Sequence, residues 1–257
     1  MTRVFVTGST TGLGLATATA LIDAGHDIVV HARNARRAAE LDDLARRGAD
    51  IVIGDLSVRA EVEHVATQAK ALGPMDAVVH NAAVYIDPAR VPTIDGHAQV
   101  LAVNVLAPYL LTALLPRPER LIYLSSGMHR DGDASLRDID WRDRRWNGVL
   151  AYCDSKLFVT AFAMAIARLW PETYTNAVDP GWVPTRMGGA GAPDDLTLGY
   201  VTQSWLAAGD DPATHVTGRY WFHQQTLEPA DAVHDITFQA ALLEQIAQLT
   251  GVQLPGP

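Results

Sequence analysis

The sequence predicts an α/β chain of one domain, a doubly wound parallel sheet of about seven strands with helices on both faces. Three observations predict it. Strand and helix signals alternate from the start of the chain. The strands are continuous apolar runs such as Val4-Phe5-Val6 and Ile28-Val29-Val30, the pattern of strands buried on both faces. A glycine-rich turn, Thr7-Gly8-Ser9-Thr10-Thr11-Gly12-Leu13-Gly14, joins the first strand to the first helix. The 257 residues suit one large domain, and 48% hydrophobic content is ordinary for a globular protein.

The turn suits a phosphate. Gly8 would let the chain turn sharply, Gly12 would let the backbone approach a pyrophosphate, and Gly14 would let the helix from Leu15 to Ile22 pack against the strand. The helix N-terminus offers unpaired N–H groups and a partial positive charge. A glycine-rich turn without a ligand has the same appearance, so the rest of the chain decides.

The second strand, Asp27 to Ala32, ends in His31-Ala32-Arg33-Asn34, followed by Arg36 and Arg37, with no acid before Glu40. An adenine ribose with a free 2′-hydroxyl wants an acid here, whereas a 2′-phosphate wants cations. Arg33, with a guanidinium that can bind two oxygens at once, is the first candidate for the phosphate, and Arg37 the second. Asn34 sits beside them. The bland alternative is a solvated helix start.

A charged helix runs from Ala35 to Arg47 and stops at Gly48. The third strand, Asp50 to Ile53, leads into Gly54-Asp55-Leu56-Ser57. Asp55 and Leu56 would lie on the adenine side of the crevice; Asp55 and Ser57 read equally as caps for the helix from Arg59 to Leu72. The fourth strand, Met75 to His80, ends at Asn81-Ala82-Ala83, whose small residues leave room for a flat ligand. A long helix follows from Gln99 to Leu115. Asn104 lies inside its apolar run and must find partners, either backbone freed by a kink or a wet site. The fifth strand, from Arg120 to Ser125, is followed by Ser126.

Residues 127–151 are rich in charge and carry Trp141 and Trp146. They would lie over the C-terminal edge of the sheet as one wall of a substrate site, or form a solvated loop anchored by the tryptophans. Tyr152 and Lys156, four apart, share one helical face. A tyrosine of pKa near ~10 is a poor acid or base at neutral pH, and a nearby ammonium favours phenolate. Such a pair can give and take a proton near neutrality. Cys153 points off that face.

The sixth strand, Thr173 to Val178, leads into Asp179-Pro180-Gly181-Trp182-Val183-Pro184-Thr185. Thr185 could bond a nicotinamide carboxamide or cap a helix. Asp194 to Ala208 reads as a helix that could move as a lid, making 183–208 a second substrate loop. Arg219 to Phe222 is a last strand, Asp235 to Leu249 a last helix, and the Leu-Pro-Gly-Pro end a frayed tail.

The net charge of −9 argues against nucleic acid as a partner. The single cysteine allows no intrachain disulfide, and no signal peptide is visible, which points to the cytoplasm. The longest uncharged apolar run, Leu157 to Ala167, is too short to span a bilayer. The nine histidines show no metal-ligand spacing.

Taken together, Thr7-Gly8-x-x-x-Gly12-x-Gly14, Asn81-Ala82-Ala83, Asn104, Ser126, Tyr152-x-x-x-Lys156 and Pro180-Gly181, in that order, resemble the short-chain dehydrogenase/reductase family over essentially the full length. The long insert before Tyr152, the Ala-Tyr-x-x-Ser-Lys-Leu pattern and the C-terminal region look like its retinol-dehydrogenase-like branch. The resemblance implies a Rossmann-type fold and a nicotinamide dinucleotide, NADP(H) favoured by the arginines and NAD(H) the alternative. It implies that Tyr152 passes a proton to a carbonyl oxygen, Lys156 holds the nicotinamide ribose and lowers the Tyr152 pKa, Ser126 bonds the substrate oxygen, and Asn104 holds a water in a proton relay. Val183, like Pro180, Gly181 and Thr185, would line the nicotinamide. Two features depart from the family: His80-Asn81-Ala82-Ala83 replaces Asn-Asn-Ala-Gly, and 26 residues separate Ser126 from Tyr152, about twice the usual gap. Strand alternation places Ser125 and Ser126 on opposite faces, so only one can serve.

The expected activity is reduction of a hydrophobic ketone or aldehyde, with Trp146, Trp182 and Met187 at the mouth. A cofactor-sensing or scaffold protein on the same fold is the rival, and an epimerase or dehydratase a weaker one. Apolar outer positions such as Tyr109, Phe158 and Phe162 would suit a dimer or tetramer, although relatives in this branch can be monomers.

Overall fold

The computed structural model describes residues 1–85 and 87–256. Eight strands form one sheet: β1 (Arg3–Val6), β2 (Asp27–Ala32), β3 (Asp50–Ile53), β4 (Ala77–His80), β5 (Arg120–Leu124), β6 (Tyr174–Asp179), β7 (Arg219–Phe222) and β8 (Gln225–Leu227). Their spatial order is β3-β2-β1-β4-β5-β6-β7-β8. The seven apolar strands pair in parallel, and β8 runs antiparallel to β7. The expected seven strands omit β8 for a physical reason. Its three residues are all exposed, and the β7–β8 turn places His223 and Gln224 at positive φ without the Asn-Gly signal of such hairpins.

The strand order reverses between β1 and β4, so the ligand crevice opens at their C-terminal ends. Alternation along β1 divides the core. Val4 and Val6 face a cluster with Ala18 and Leu21 of α1 (Gly12–Asp23), while Phe5 faces the other side.

Between β2 and β3 the expected single helix is three pieces: α2 (Ala35–Ala38), a 3₁₀ turn at Ala39–Leu41 and α3 (Asp42–Arg46). The tighter turn aligns residues three apart, and Leu41 and Leu44 are both buried. The helix α4 (Arg59–Ala71) starts without a side-chain cap, so neither Asp55 nor Ser57 serves that role; Asp55 Oδ1 instead accepts from Ser57 N, 2.9 Å. The expected helix after β4 is α5 (Gln99–Leu101), a π-helical turn at Ala102–Leu106 and α6 (Ala107–Leu114). Asn104 lies at the centre of the π turn.

The next helix, α7 (Gly148–Leu169), starts four residues before Tyr152, where Asn147 Oδ1 caps Val149 N and Leu150 N. It has the length and composition to cross a membrane, and Leu157 to Ala167 is only its middle. It is the core helix here: 89% of its most apolar stretch is buried inside the protein. Then α8 (Leu196–Ala208) packs on α1, and α9 (Ile236–Thr250) packs on α7 through Phe158 and Phe238. Tyr109, Phe158 and Phe162, expected on an outer face, are fully buried: Phe158 lies against Phe238, and Phe162 packs on Tyr109 and Tyr123. The tail is also held. Tyr109 donates to Val252 O at 2.8 Å, and Arg117 to Gly256 O at 2.6 Å.

Candidate active site

The glycine-rich turn is closed against the end of β4. Gly8 has φ +68°, and a Cβ there would lie 2.9 Å from Ala82 Cα. A Cβ on Gly14 would collide with Gly8 O, so this glycine is required by the turn itself as well as by helix packing. Thr7 Oγ1 accepts from both Asn81 N and Ala82 N at 3.0 Å, and Asn81 Nδ2 donates to Thr7 O at 2.9 Å. Asn81 and Ala82 thus hold the crevice floor, with Ala83 following. Ser9 turns inward: its hydroxyl donates to Val6 O and accepts from His31 N, and its own N–H donates to His31 O. Gly12 faces Thr185 across the crevice. The first turn of α1 is uncapped by Thr11, leaving its amides open to an anion.

His31 ties this turn to β3. Gly8 N donates to its Nδ1 at 3.1 Å, and its Nε2 lies 2.7 Å from Gly54 O. Accepting on one nitrogen fixes the proton on the other. Burial lowers the His31 pKa, against the Gly54 bond and the Asp55 charge. In sequence it is one histidine in an apolar strand, with no sign of this role.

The two candidate arginines differ. Arg37 is tied down, donating to Thr10 Oγ1 and to Glu40 Oε1, each at 2.7 Å. Asn34 caps α2 by accepting from Arg37 N. Arg33 is exposed and has no hydrogen-bond or ion-pair partner among the described residues. Leu56 and Val183 are buried, so their side chains serve the core, and Val183 and Leu13 both abut Gly199 of α8.

Ser126, Tyr152 and Lys156 come together. Ser125 Oγ bonds Thr160 Oγ1 at 2.6 Å inside the core, whereas Ser126 Oγ accepts from Met128 N at 3.2 Å and lies close enough to the Tyr152 phenol to act against the rise of its pKa. The two serines occupy different surroundings, Ser125 in the core and Ser126 beside Tyr152. Lys156 Nζ donates to Leu124 O at 2.8 Å and stands 5.6 Å from the Tyr152 ring centroid. Burial brings Lys156 down to about 8, with the Asp179 charge acting the other way. Burial pushes the Tyr152 phenol up, opposed by the Ser126 hydroxyl. Tyr152 is buried, with Tyr85 edge-on at 4.8 Å, and the Lys156 ammonium is directed at the Leu124 carbonyl.

Asn104 is fully engaged. Its Oδ1 accepts from Val84 N at 2.8 Å, and its Nδ2 donates to Val84 O and Ser155 Oγ, each at 3.0 Å. Ser155 in turn donates to Tyr152 O at 2.7 Å. The side chain therefore fixes the segment leading to Tyr85, and the π turn is the kink that accommodates a polar group here. Gly181, at φ +80°, donates to Asp179 Oδ1 at 3.0 Å, setting the turn after Pro180. Thr185 Oγ1 accepts from Gly188 N at 3.2 Å. Sequence reasoning missed Ser155, Tyr85 and Asp179 because each acts through a distant partner.

Residues 2–120 match the family model described as short chain dehydrogenase. The chain is 38% identical to the short-chain dehydrogenase chry4 of Gibberella zeae, covering 100% of both chains. It is 28% identical to retinol dehydrogenase 13 of Homo sapiens, covering 98% of this chain and 85% of that one, in keeping with the branch its motifs resemble. Among solved structures, an uncharacterized protein from Mycobacterium paratuberculosis superposes with a TM-score of 0.84 at 26% identity, covering 99% and 95% of the two chains. The blue fluorescent protein from a metagenomic library, in complex with NADPH, gives 0.68 at 25% identity, covering 85% and 94%.

Proposed function

The chain belongs to the short-chain dehydrogenase family, and on that premise we propose that it is an NADP(H)-dependent oxidoreductase interconverting a hydrophobic ketone or aldehyde and its alcohol. The observation that carries this reading is the meeting of Ser126, Tyr152 and Lys156 beside the glycine-rich crevice. The residues fit a nicotinamide dinucleotide: Gly8, Gly12 and Gly14 keep the turn free of side chains, and the first turn of α1 is open. When bound, that cofactor supplies or accepts the hydride. Tyr152 holds the proton exchanged with the substrate oxygen. Ser126, next to the same hydroxyl, would donate to that oxygen as charge develops on it. Lys156 puts a positive charge behind the tyrosine, and Asn104 keeps the helix face in place through Ser155.

The phosphorylated cofactor is favoured by Arg33, an exposed guanidinium at the end of β2 with no acid on it. Arg37, half neutralised by Glu40, plays the smaller part. Tyr85, Trp182 and Met187 expose apolar surface near the mouth, which suits an apolar substrate. The burial of Tyr109, Phe158 and Phe162 within the chain favours a monomer, which light scattering checks.

Titration with NADPH and NADH, followed by fluorescence, tests the cofactor. Tighter NADPH binding that weakens in Arg33→Ala is expected, and a preference for NADH would overturn it. Tyr152→Phe should abolish carbonyl reduction while retaining cofactor binding; retained turnover would remove Tyr152 from the chemistry. Cofactor binding without turnover on any carbonyl would favour the sensor reading.

A further inference from the structure

We propose that Asp179 is a positioning residue for the Tyr152–Lys156 pair: its buried charge keeps Lys156 an ammonium, while its two oxygens fix the turn that closes the site. This rests on the oxidoreductase reading above.

Asp179 is the last residue of β6 and is buried. Its Oδ1 accepts from Gly181 N at 3.0 Å and its Oδ2 from Tyr220 Oη at 3.0 Å. Both donors are neutral, and among the described residues no cation forms an ion pair with it. A buried carboxylate so placed is costly unless a positive charge lies near. The strand register supplies one. Val178 pairs with Leu124, and Leu124 O is where the Lys156 ammonium docks. Asp179 therefore lies one residue beyond the docking point, and its Oδ2 comes within 3.3 Å of where a Cβ on Gly127 would stand, next to Ser126.

The other groups around Lys156 do not replace this charge. Tyr152, on its own helix, is a buried phenol with Tyr85 against it. The strand β5 offers only the Leu124 carbonyl. His129 accepts from Ala230 N on Nε2 and bonds Ser126 O through Nδ1, an arrangement of the neutral ring, and burial lowers its pKa. Tyr220 is a buried phenol that burial and the Asp179 charge push up. Arg130 bonds Glu228 O, and Asp154 is held by Arg144 and Trp141. Asp131, the remaining charged neighbour, acts on His129 and Cys153. Burial alone works against the Lys156 ammonium, and the Asp179 charge is the influence that opposes it.

The sequence makes a direct test practical, because Lys156 and Lys70 are its only lysines and Lys70 is exposed. With lysine labelled at the ε-carbon, NMR of the intact protein follows both titrations without any turnover. Asp179→Asn keeps the shape and, with its amide oxygen toward Gly181 N, that hydrogen bond; its NH2 donates to Tyr220 Oη in place of accepting from it, and the charge is removed. It should move the Lys156 midpoint to lower pH by about one pH unit and leave Lys70 unmoved. Tyr220→Phe keeps the charge and takes away one donor, so the midpoint should stay or rise. The alkaline limb of kcat/KM should follow the Lys156 midpoint in each variant. An unmoved midpoint in Asp179→Asn, or a fall in Tyr220→Phe, would overturn the proposal; if Asp179→Asn does not fold, Tyr220→Phe decides alone. Since the titration needs no substrate, it stands or falls separately from the assignment of the reaction.

Discussion

Residues 127–147 and residues 182–195 both lead off the C-terminal ends of sheet strands, one after β5 and the other after β6. The first segment is bonded to the body of the protein and the second chiefly to itself. In the first, the buried Asp140 accepts from Arg90, His97, Arg142 and the backbone N of Ala98. Asp138 accepts from the backbone N of Arg142, Asp143 and Arg144. Asp154 on α7 accepts from Asp133 N, Trp141 Nε1 and Arg144. Arg144 also lies over the Trp141 ring at 3.5 Å. The charge that suggested a solvated loop is instead spent on backbone donors and buried pairs.

In the second segment, Trp182 N donates to Asp194, Trp182 Nε1 to Gly188 O and Gly188 N to Thr185. Trp182 is 59% exposed and Met187 41%. An apolar side chain left in water at the mouth of a crevice is available to a ligand, whereas one held by a buried carboxylate is not. The comparison teaches that the first segment is scaffold and that the second, under the proposed function, is the side left free for a ligand.

Four measurements would break or sharpen this contrast. The largest effect is expected from Asp140→Ala, which strips several donors of a buried acceptor and should cost about 3 kcal/mol in urea denaturation. A loss within experimental error would show that the first wall is not held as described. Next, acid should loosen the same wall. Burial raises the Asp140 pKa, but the bonds from His97, Ala98 N and Arg142 outweigh it and bring the group down to about 2. Its contribution is therefore complete above the unfolded value near ~4 and is lost as pH falls toward about 2, by about 2 kcal/mol. Asp140→Asn should flatten that part of the stability–pH curve. Third, limited proteolysis should cut first within 186–193 and leave 133–146 intact; the reverse order would invert the comparison. The smallest effect on stability is expected from Trp182→Ala, within about 0.5 kcal/mol. The same variant should weaken an apolar substrate, read as a rise in KM.

Legibility in the sequence followed the range of the interactions. The turn at Gly8, Gly12 and Gly14 is local, and its chemistry is written in consecutive residues. The pairing of Tyr152 with Lys156 is one helical repeat. Ser125 and Ser126 look alike in sequence; the Thr160 bond of Ser125, 35 residues away, separates them. Arg33 and Arg37 look alike in sequence; Glu40 and Thr10, one nearby and one on another loop, separate them. The role of His31 depends on Gly8 and Gly54, more than twenty residues away on either side.

The sequence by itself determined the parallel sheet, the crevice and the placing of Tyr152 and Lys156 on one helical face, because periodicity, glycine positions and helical spacing act between neighbours in the chain. Only the tertiary structure decided the state of those groups. Burial raised Tyr152 and drew Lys156 down, and α9 packed on α7 through Phe158 and Phe238. Desolvation and long-range pairing depend on what surrounds a residue in space, and no window of sequence carries that.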